Sequence, residues 1–302
     1  MNALKNDFKY RIINGLIEII ACLPLSVLYL IGDVVCFFLH RVFRYRLRIV
    51  RKNLADVFKN EPVEELRRIE NAFYRHLVEV FVETLKLAHI SDKEMMRRVC
   101  VEGIELVNDA VARGQSVVLM LGHYGNWEWV TASAMHMDRK AVICEIYHPL
   151  RNKAFDRVML RLRSRFGTEN IPMSKSVRRL LSIHREGGVF VCGFIADQRP
   201  FSRDLKHWTD FCGIDTAYVN GGEVIGCKIS AEFLYAEMLP LRRGYYKLSF
   251  SRLEPLDDNK ENPYSRAFLQ RLEASVINNP PYWLWSHNRW KRKRVGNGRN
   301  NK

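Results

Sequence analysis

Short apolar runs alternate with amphipathic stretches over most of the chain. The apolar runs have the length and composition of buried strands, and they are SVVLML (116–121), AVICEIY (141–147), GVFVCGFIAD (188–197) and AEFLYAEML (231–239). The amphipathic stretches have the apolar spacing of helices, and they are VEELRRIENAFYRHLVEVFVETLKL (63–87), AFDRVMLRLRSRFG (154–167) and KSVRRLLSIHREG (175–187). This alternation predicts an α/β fold in which helices flank a mixed central sheet.

A different pattern occupies the N-terminal region, where residues 12–40 are mostly apolar and carry only two charges, Glu18 and Asp33. The uncharged run 19–32 is shorter than the roughly 20 residues that span a bilayer core. Pro24 would also bend or split a helix. Two structures therefore stay open: a buried hairpin of two helices, or an anchor embedded in the membrane or lying along one leaflet.

The flanks of this apolar region favour the anchor. Basic residues precede it, and HRVFRYRLRIVRK (40–52) follows it. Guanidinium groups and aromatic rings suit the headgroup layer of a membrane. Basic residues on both sides argue against a simple span with one positive end, although a full crossing stays open. We predict three regions along the chain, namely membrane-associated helices over 1–52, an α/β catalytic domain over 53–292, and a disordered basic tail over 293–302.

The composition adds a strong positive charge, because 48 Lys and Arg against 33 Asp and Glu give a net charge of +15. Such a surface attracts nucleic acid, anionic lipid or an acidic protein. A basic nucleic-acid-binding protein would explain the charge but not the apolar N-terminal region, and the sequence has no RRM, KH or helix-turn-helix signature. Seven scattered cysteines without a CxxC pair argue against a disulfide framework and a zinc site. We therefore expect an anionic membrane surface as a partner, and neither nucleic acid nor metal.

The candidate chemistry lies in SVVLMLGHYGNWEWV (116–130), where an apolar strand runs into a turn that holds His123, and Glu128 follows five positions later. We predict a strand that ends at Leu121 and a helix that begins near Asn126. Glu128 would then reach back and hold one imidazole nitrogen, which leaves the other nitrogen free as a general base. A purely structural His–Glu hydrogen bond is the alternative. The sequence has no G-x-S-x-G or HExxH motif, so the base would act on an external hydroxyl.

The same turn offers donors for a negatively charged intermediate. Backbone N–H groups at a helix N-terminus point outward and stabilise an oxyanion. We predict this role for the N–H groups of Tyr124, Gly125 and Asn126.

Six blocks of the sequence, taken together, resemble one family. They are RIVRKNLADVF (48–58), GHYGNWEW (122–129), YHPLRNKAFDRVMLRLRSRFG (147–167), GGVFVCGFIADQRP (187–200), DFCGIDTAYVNGGEVIGCKISAEF (210–233) and NPPYWLWSHNRWK (279–291). They are similar, in this order, to the late lauroyl/myristoyl-type acyltransferases of lipid A biosynthesis, within the HX4(D/E) lysophospholipid acyltransferase superfamily.

The resemblance implies a membrane-associated O-acyltransferase without a cofactor. It would move a fatty acyl chain from an acyl thioester, carried on acyl carrier protein, to a hydroxyl of a membrane lipid such as a lipid A precursor. It also implies a location at the inner (cytoplasmic) membrane with the catalytic domain on the cytoplasmic side. A lysophospholipid or aminolipid acyltransferase with the same chemistry is the alternative.

The resemblance also assigns residues. It makes His123 the general base and Glu128 its partner, and it places Arg161 and Asp197 at positions important for activity. Substrate-binding roles are expected for Arg161, Arg163, Asp197, Gln198 and Arg199. Arg161, Arg163 and Arg199 would grip a phosphate, and Asp197 would anchor one of the arginines.

Overall fold

A seven-stranded sheet forms the centre of the protein in the computed structural model, which describes residues 2–201 and 204–294, with side chains from residue 7 onward. The strands of the described residues are β1 (Val99–Glu102), β2 (Val117–Leu121), β3 (Ala141–Tyr147), β4 (Glu169–Pro172), β5 (Val189–Ile195), β6 (His207–Phe211), β7 (Ile214–Tyr218), β8 (Glu232–Arg242) and β9 (Tyr245–Arg252). The central sheet has the order β1-β9-β8-β2-β5-β3-β4, and β6 and β7 form a separate hairpin. Five strands of the central sheet, β8, β2, β5, β3 and β4, run parallel to one another. β9 returns antiparallel to β8, and β1 pairs parallel with β9, so these two strands run in the opposite direction.

Helices cover both faces of this sheet. They are α1 (Asn2–Cys22), α2 (Leu25–Phe37), α3 (Leu47–Val57), α4 (Val63–Lys86), α5 (Asp92–Arg98), α6 (Ile104–Ala112), α7 (Lys153–Arg163), α8 (Ser176–Arg185), α9 (Gly221–Lys228) and α10 (Pro263–Asn278). A π-helical turn, Phe38–Val42, follows α2, and a 3-10 helix, Trp127–His136, follows β2. The predicted α/β fold with a mixed central sheet is confirmed.

The sheet separates two apolar cores. Val117, Leu119 and Leu121 of β2 contribute to one core, and Val118 and Met120 contribute to the other. All five side chains are buried, because successive residues of a strand point to opposite faces and helices cover both faces of the sheet. The uninterrupted apolar run that predicted β2 is the consequence of this double coverage.

The N-terminal helices are packed on one side and bare on the other. Leu25, Leu28 and Tyr29 of α2 are buried in the same core as half of the sheet. On the opposite side, α2 exposes Leu30 and Val34, which are 68% and 55% accessible. Within residues 2–201 and 204–294, one helical segment, Leu25–Val42, is long and apolar enough to cross a membrane by length and composition. The boundary at residue 52 stays a prediction, and most of the predicted tail, residues 295–302, lies outside the described residues.

Candidate active site

Two neighbouring parallel strands bring the main ionisable pair together. β2 pairs with β5, so that Leu121 lies beside Ile195. His123 and Asp197 each follow their strand end by two residues, at the carboxyl edge of the sheet where α/β proteins place their sites. The Nδ1 atom of His123 lies 2.6 Å from Oδ1 of Asp197. The N–H of His123 also donates to Oδ2 of the same carboxylate at 3.0 Å.

Asp197 is held as an ionised carboxylate. Its side chain is 2% exposed, and the indole N–H of Trp283 donates to Oδ2 at 2.8 Å. Burial alone would raise the pKa of this carboxyl. The nearby His123 and the hydrogen bonds from His123 and Trp283 outweigh burial and lower the pKa to about 2. The carboxylate is therefore available to orient the imidazole and to stabilise it when it gains a proton.

The second nitrogen of His123 faces the cavity described below. Its Nε2 atom lies 3.1 Å from the side-chain amide nitrogen of Gln198, and the ring meets Trp127 edge-on at a centroid distance of 5.3 Å. Because Nδ1–H is directed at Asp197, Nε2 carries the lone pair of the neutral ring. The side-chain N–H of Gln198 can donate to this lone pair. This is the tautomer that a general base requires.

The predicted contact between His123 and Glu128 is wrong. Nη2 and Nε of Arg163 donate to the two carboxylate oxygens of Glu128 at 2.6 and 2.8 Å. The reason is that Asp197, arriving from the adjacent strand, occupies Nδ1, while Glu128 lies in the first turn of the 3-10 helix and meets α7. Asp197 was expected to anchor an arginine, and that expectation is wrong for the same reason.

Arg163 also faces a second acid. Its Nε atom lies 3.6 Å from Oε1 of Glu145, on β3. Burial, together with the neighbouring Glu128, raises the pKa of Glu145 to about 7. The hydrogen bonds to Glu128 outweigh burial and raise the pKa of Arg163. The three side chains form a charged cluster in the wall of the cavity.

The other predicted arginine lies elsewhere. Nη1 of Arg161 is 2.6 Å from Oε1 of Glu18 on α1, and Arg161 does not line the cavity. Arg161 and Arg163 are two positions apart on α7 and therefore point in different directions. The expected phosphate-binding role of Arg161 thus has no support from the geometry, whereas Arg163 and Arg199 do line the cavity.

The backbone of the turn is already in use. The N–H of Tyr124 donates to the carbonyl of Gly122, and the N–H of Gly125 donates to the carbonyl of Tyr282 at 3.0 Å. The side chain of Asn126 accepts the N–H of Trp129 and donates to Glu83. Tyr124 and Gly125 are therefore not free to act as the predicted oxyanion donors. The side chain of Asn126 shapes the turn, and the oxyanion role of its backbone N–H stays a prediction.

Gly125 is required by this turn. Its φ of +58° lies in the left-handed region, and a Cβ atom there would sit 2.0 Å from the carbonyl oxygen of Met238. No side chain fits such an approach without a backbone shift.

The C-terminal segment closes the site from the side opposite β5. The N–H of Leu284 donates to the carbonyl of His123, and Trp283 reaches Asp197. The amide of Asn53, on α3, donates to the carbonyls of Trp285 and His287 at 2.9 Å each. Sequence reasoning did not assign a role to Trp283 or Asn53, although both lie in the blocks that resemble the family.

A cavity of about 750 Å³ opens beside this pair. Apolar side chains line its interior, namely Leu119, Leu121, Val130, Ala134, Met137, Ile143, Met159 and Val191. The lining also includes His123 itself and the polar residues Gln198, Arg199, His287 and Arg292. The volume is in the range of binding sites for small molecules and lipid chains. Over the part of the chain that the structure describes, no cluster of three or more His, Cys, Asp or Glu is arranged to hold a metal ion.

A histidine–carboxylate pair beside an apolar cavity, at the carboxyl edge of an α/β sheet, has the geometry to deprotonate a group next to a bound apolar chain. The comparisons with known proteins place the chain among the acyltransferases. Residues 6–292 match the family model described as bacterial lipid A biosynthesis acyltransferase. The chain therefore belongs to that family.

Curated relatives agree with this assignment. The chain is 22% identical over 253 residues to a lipid A biosynthesis acyltransferase of Haemophilus influenzae. The aligned region covers 82% of this chain and 76% of the relative. It is also 22% identical over 279 residues to a lipid A biosynthesis palmitoleoyltransferase of Escherichia coli, with 91% of this chain and 88% of the relative covered. A lipid A biosynthesis acyltransferase of Shigella flexneri shows the same identity and coverage.

Proposed function

We propose that the protein moves a fatty acyl chain from an acyl thioester to a hydroxyl group of a lipid A precursor. The observation that carries this proposal is the His123–Asp197 pair, whose free imidazole nitrogen faces a cavity of about 750 Å³ with an apolar interior. The cavity suits an acyl chain, and the imidazole suits an acceptor alcohol. The names of the relatives support the lipid A precursor as the acceptor.

The reaction needs one proton carrier. Nε2 of His123 takes the proton of the acceptor hydroxyl while the oxygen attacks the thioester carbonyl. Asp197 stabilises the resulting imidazolium through Nδ1. The tetrahedral intermediate then expels the thiolate, the carbon–sulfur bond breaks, and His123 returns the proton to the sulfur. The amide of Gln198 lies 3.1 Å from Nε2, so it has to turn away from this nitrogen when the acceptor hydroxyl binds there.

The N–H groups of Tyr124 and Gly125 are used elsewhere, which leaves the N–H of Asn126 and donors outside the turn for the oxyanion. We assign this role to the side chains of Gln198 and Arg199, which line the cavity next to His123. Arg163 shapes the cavity wall, and Glu128 holds it in place by a bidentate pair.

The cavity lining includes the basic residues Arg199 and Arg292. A net positive surface attracts an acidic carrier, so we propose acyl carrier protein as the acyl donor. We further propose that α2 and its bare apolar face attach the enzyme to the cytoplasmic side of the inner membrane.

The test is acyl transfer with purified full-length protein, detected by mass spectrometry of the lipid product. Lipid A precursor, lysophospholipid and aminolipid are offered as acceptors, each with acyl carrier protein or coenzyme A as the thioester carrier. We expect acylation of the lipid A precursor from the carrier protein, and loss of it in His123→Gln. Acylation of a lysophospholipid or aminolipid alone would move the acceptor to the alternative class. Full activity in His123→Gln would refute the mechanism.

A further inference from the structure

A second cavity, of about 790 Å³, lies between α2, α4 and the β8–β9 hairpin. We call it the helix-side pocket, and its lining includes Asp33, Phe37, Arg41, Arg75, Glu79 and Arg242. It has no lining residue in common with the cavity beside His123. It is therefore a separate site, and the proposed acyl transfer does not use it.

The pocket carries an excess of positive charge. Arg243 donates to Asp33 at 2.6 Å and lies 2.7 Å from Glu79, so one arginine engages both carboxylates of the lining. Three more arginines line the pocket, namely Arg41, Arg75 and Arg242. Among the described residues none of the three forms an ion pair with a carboxylate, although the charge of Arg75 acts on Asp33 and Glu79 from a greater distance.

These three guanidinium groups are exposed and available. Arg41 donates to the side-chain amide oxygen of Asn71, and Arg242 stacks over the ring of Tyr245 at 3.9 Å. Arg75 forms no hydrogen bond or ion pair within residues 2–201 and 204–294. An exposed guanidinium has donors in a planar fork that match the oxygens of a phosphate.

The rim of the pocket is apolar on the side of α2. Phe37, which lines the pocket, is 58% exposed, and Phe38, Val34 and Val35 are each about half exposed. A soluble anion or an acidic protein would leave this apolar surface without a function. A lipid has both parts, since its phosphate carries the charge and its alkyl chains cover apolar helix surface.

We propose that the helix-side pocket binds the phosphate of an anionic lipid headgroup through Arg41, Arg75 and Arg242, while the alkyl chains of that lipid lie along the exposed face of α2.

The pocket also touches the catalytic turn. Its lining includes His76, whose Nε2 atom lies 3.1 Å from the carbonyl oxygen of Gly125. Burial lowers the pKa of His76 to about 4, so the ring is neutral and donates to that carbonyl. Tyr282 packs edge-on against His76 and accepts the N–H of Gly125. A lipid in this pocket would thus contact side chains that hold the turn of His123.

The experiment measures binding to the full-length protein in neutral detergent by titration calorimetry. The probes are dihexanoyl phosphatidylglycerol, dihexanoyl phosphatidylcholine and inorganic phosphate. The test variant is Arg75→Gln/Arg242→Gln. The matched control, Arg178→Gln/Arg185→Gln, removes the same charge from two exposed positions on α8.

We expect phosphatidylglycerol to bind the natural protein at least about tenfold more tightly than the other two probes, and the test variant to lose about tenfold or more in affinity. The control should stay within about twofold. Equal losses in both variants, or equal binding of phosphatidylcholine, would overturn the proposal.

Two further outcomes identify other ligands and also overturn it. Inorganic phosphate that binds as tightly as the lipid would indicate a soluble anion. Acyl carrier protein is titrated in the same way as a fourth probe. Retained binding of phosphatidylglycerol with lost binding of acyl carrier protein in the test variant would indicate that the pocket binds an acidic protein. Thermal unfolding verifies that the test variant folds, and Arg75→Glu serves as a second variant if it does not. Acyl transfer is assayed separately, so failure of lipid binding is distinguishable from failure of the proposed function.

Discussion

Two hydrogen-bonded pairs lie at the same cavity and differ in what they can do. In the first, Asp197 is buried and receives three contacts, while His123 keeps one nitrogen toward the cavity. In the second, both oxygens of Glu128 are saturated by Arg163. The first pair can accept and release a proton, whereas the second can only hold a position. The difference shows that the partner of a catalytic histidine depends on which strand lies next to its own, and not on its distance along the sequence.

The largest effect is expected from Asp197→Asn. The amide cannot stabilise the imidazolium and favours the wrong tautomer, so kcat should fall by about 10³–10⁴-fold. The measurement is steady-state acyl transfer, with circular dichroism as the control for folding. If Glu128 were the partner of His123, the loss would instead appear in Glu128→Gln and Asp197→Asn would stay active.

Gly125→Ala should damage the turn that separates the two pairs. The added Cβ would meet the carbonyl oxygen of Met238 at 2.0 Å in a backbone conformation with φ of +58°. We expect a loss of about 2–4 kcal/mol in the free energy of unfolding from strain and backbone shift. Urea unfolding measures it. Gly114→Ala is the matched control, since φ there is +72° with nothing within 4 Å of the added Cβ, and it should cost only about 1 kcal/mol.

Glu128→Gln should have a moderate effect. Arg163 would lose its bidentate partner and keep only the weaker contact to Glu145, so the cavity wall would loosen. We expect a decrease of about tenfold in kcat/KM, and no change in the pH profile of kcat. The double variant Glu128→Gln/Arg163→Gln should cost less than the two single changes added together. Additive losses would show that Glu128 acts independently of Arg163.

Glu145, the acid next to the Glu128–Arg163 pair, should make the stability of the protein depend on pH. Its pKa in the folded protein is about 7, above the value near 4.3 of an unfolded chain, so the folded state binds the proton more tightly. The contribution of this carboxyl to stability is therefore full below about pH 4 and is lost as the pH rises through 7. Glu145→Gln should become more stable relative to the natural protein between pH 5 and pH 8, by about 1–3 kcal/mol. Urea unfolding at each pH measures the difference, and a constant offset would contradict it.

Arg161→Gln should have the smallest effect on catalysis. The side chain pairs with Glu18 on α1 and does not line the cavity. The KM for the acceptor should stay within about twofold, and the stability should change by no more than about 1 kcal/mol, as for other half-exposed ion pairs. A KM raised tenfold would restore the phosphate-binding role that the sequence suggested.

Much of the fold was readable from apolar patterns. The run AVICEIY coincides with β3, and the helix predicted over 63–87 is α4. β1 was missed because four residues carry too little pattern. β9, with its YYKLSFSR alternation of partly and fully buried positions, could have been recognised by its period of two.

The site was readable only in part. His123 and Asp197 each follow an apolar strand by two residues, which marks both as residues at the carboxyl edge of a sheet. In the sheet β5 lies directly beside β2, although β3 and β4 come between them along the chain. This neighbourhood depends on how the whole sheet packs and cannot be seen in either segment alone. For that reason the sequence offered Glu128, the nearest carboxylate along the chain, in place of Asp197.

The contacts of Trp283 and Leu284 with the turn of His123 have a consequence for limited proteolysis. His123 and Asp197 follow β2 and β5, but Trp283 and Leu284 complete their surroundings. A cleavage between α10 and Trp283 would leave every strand of the sheet uncut and would release these two contacts from the rest of the fold. We expect such a nicked protein to lose acyl transfer, because the carboxylate of Asp197 would lose its indole donor.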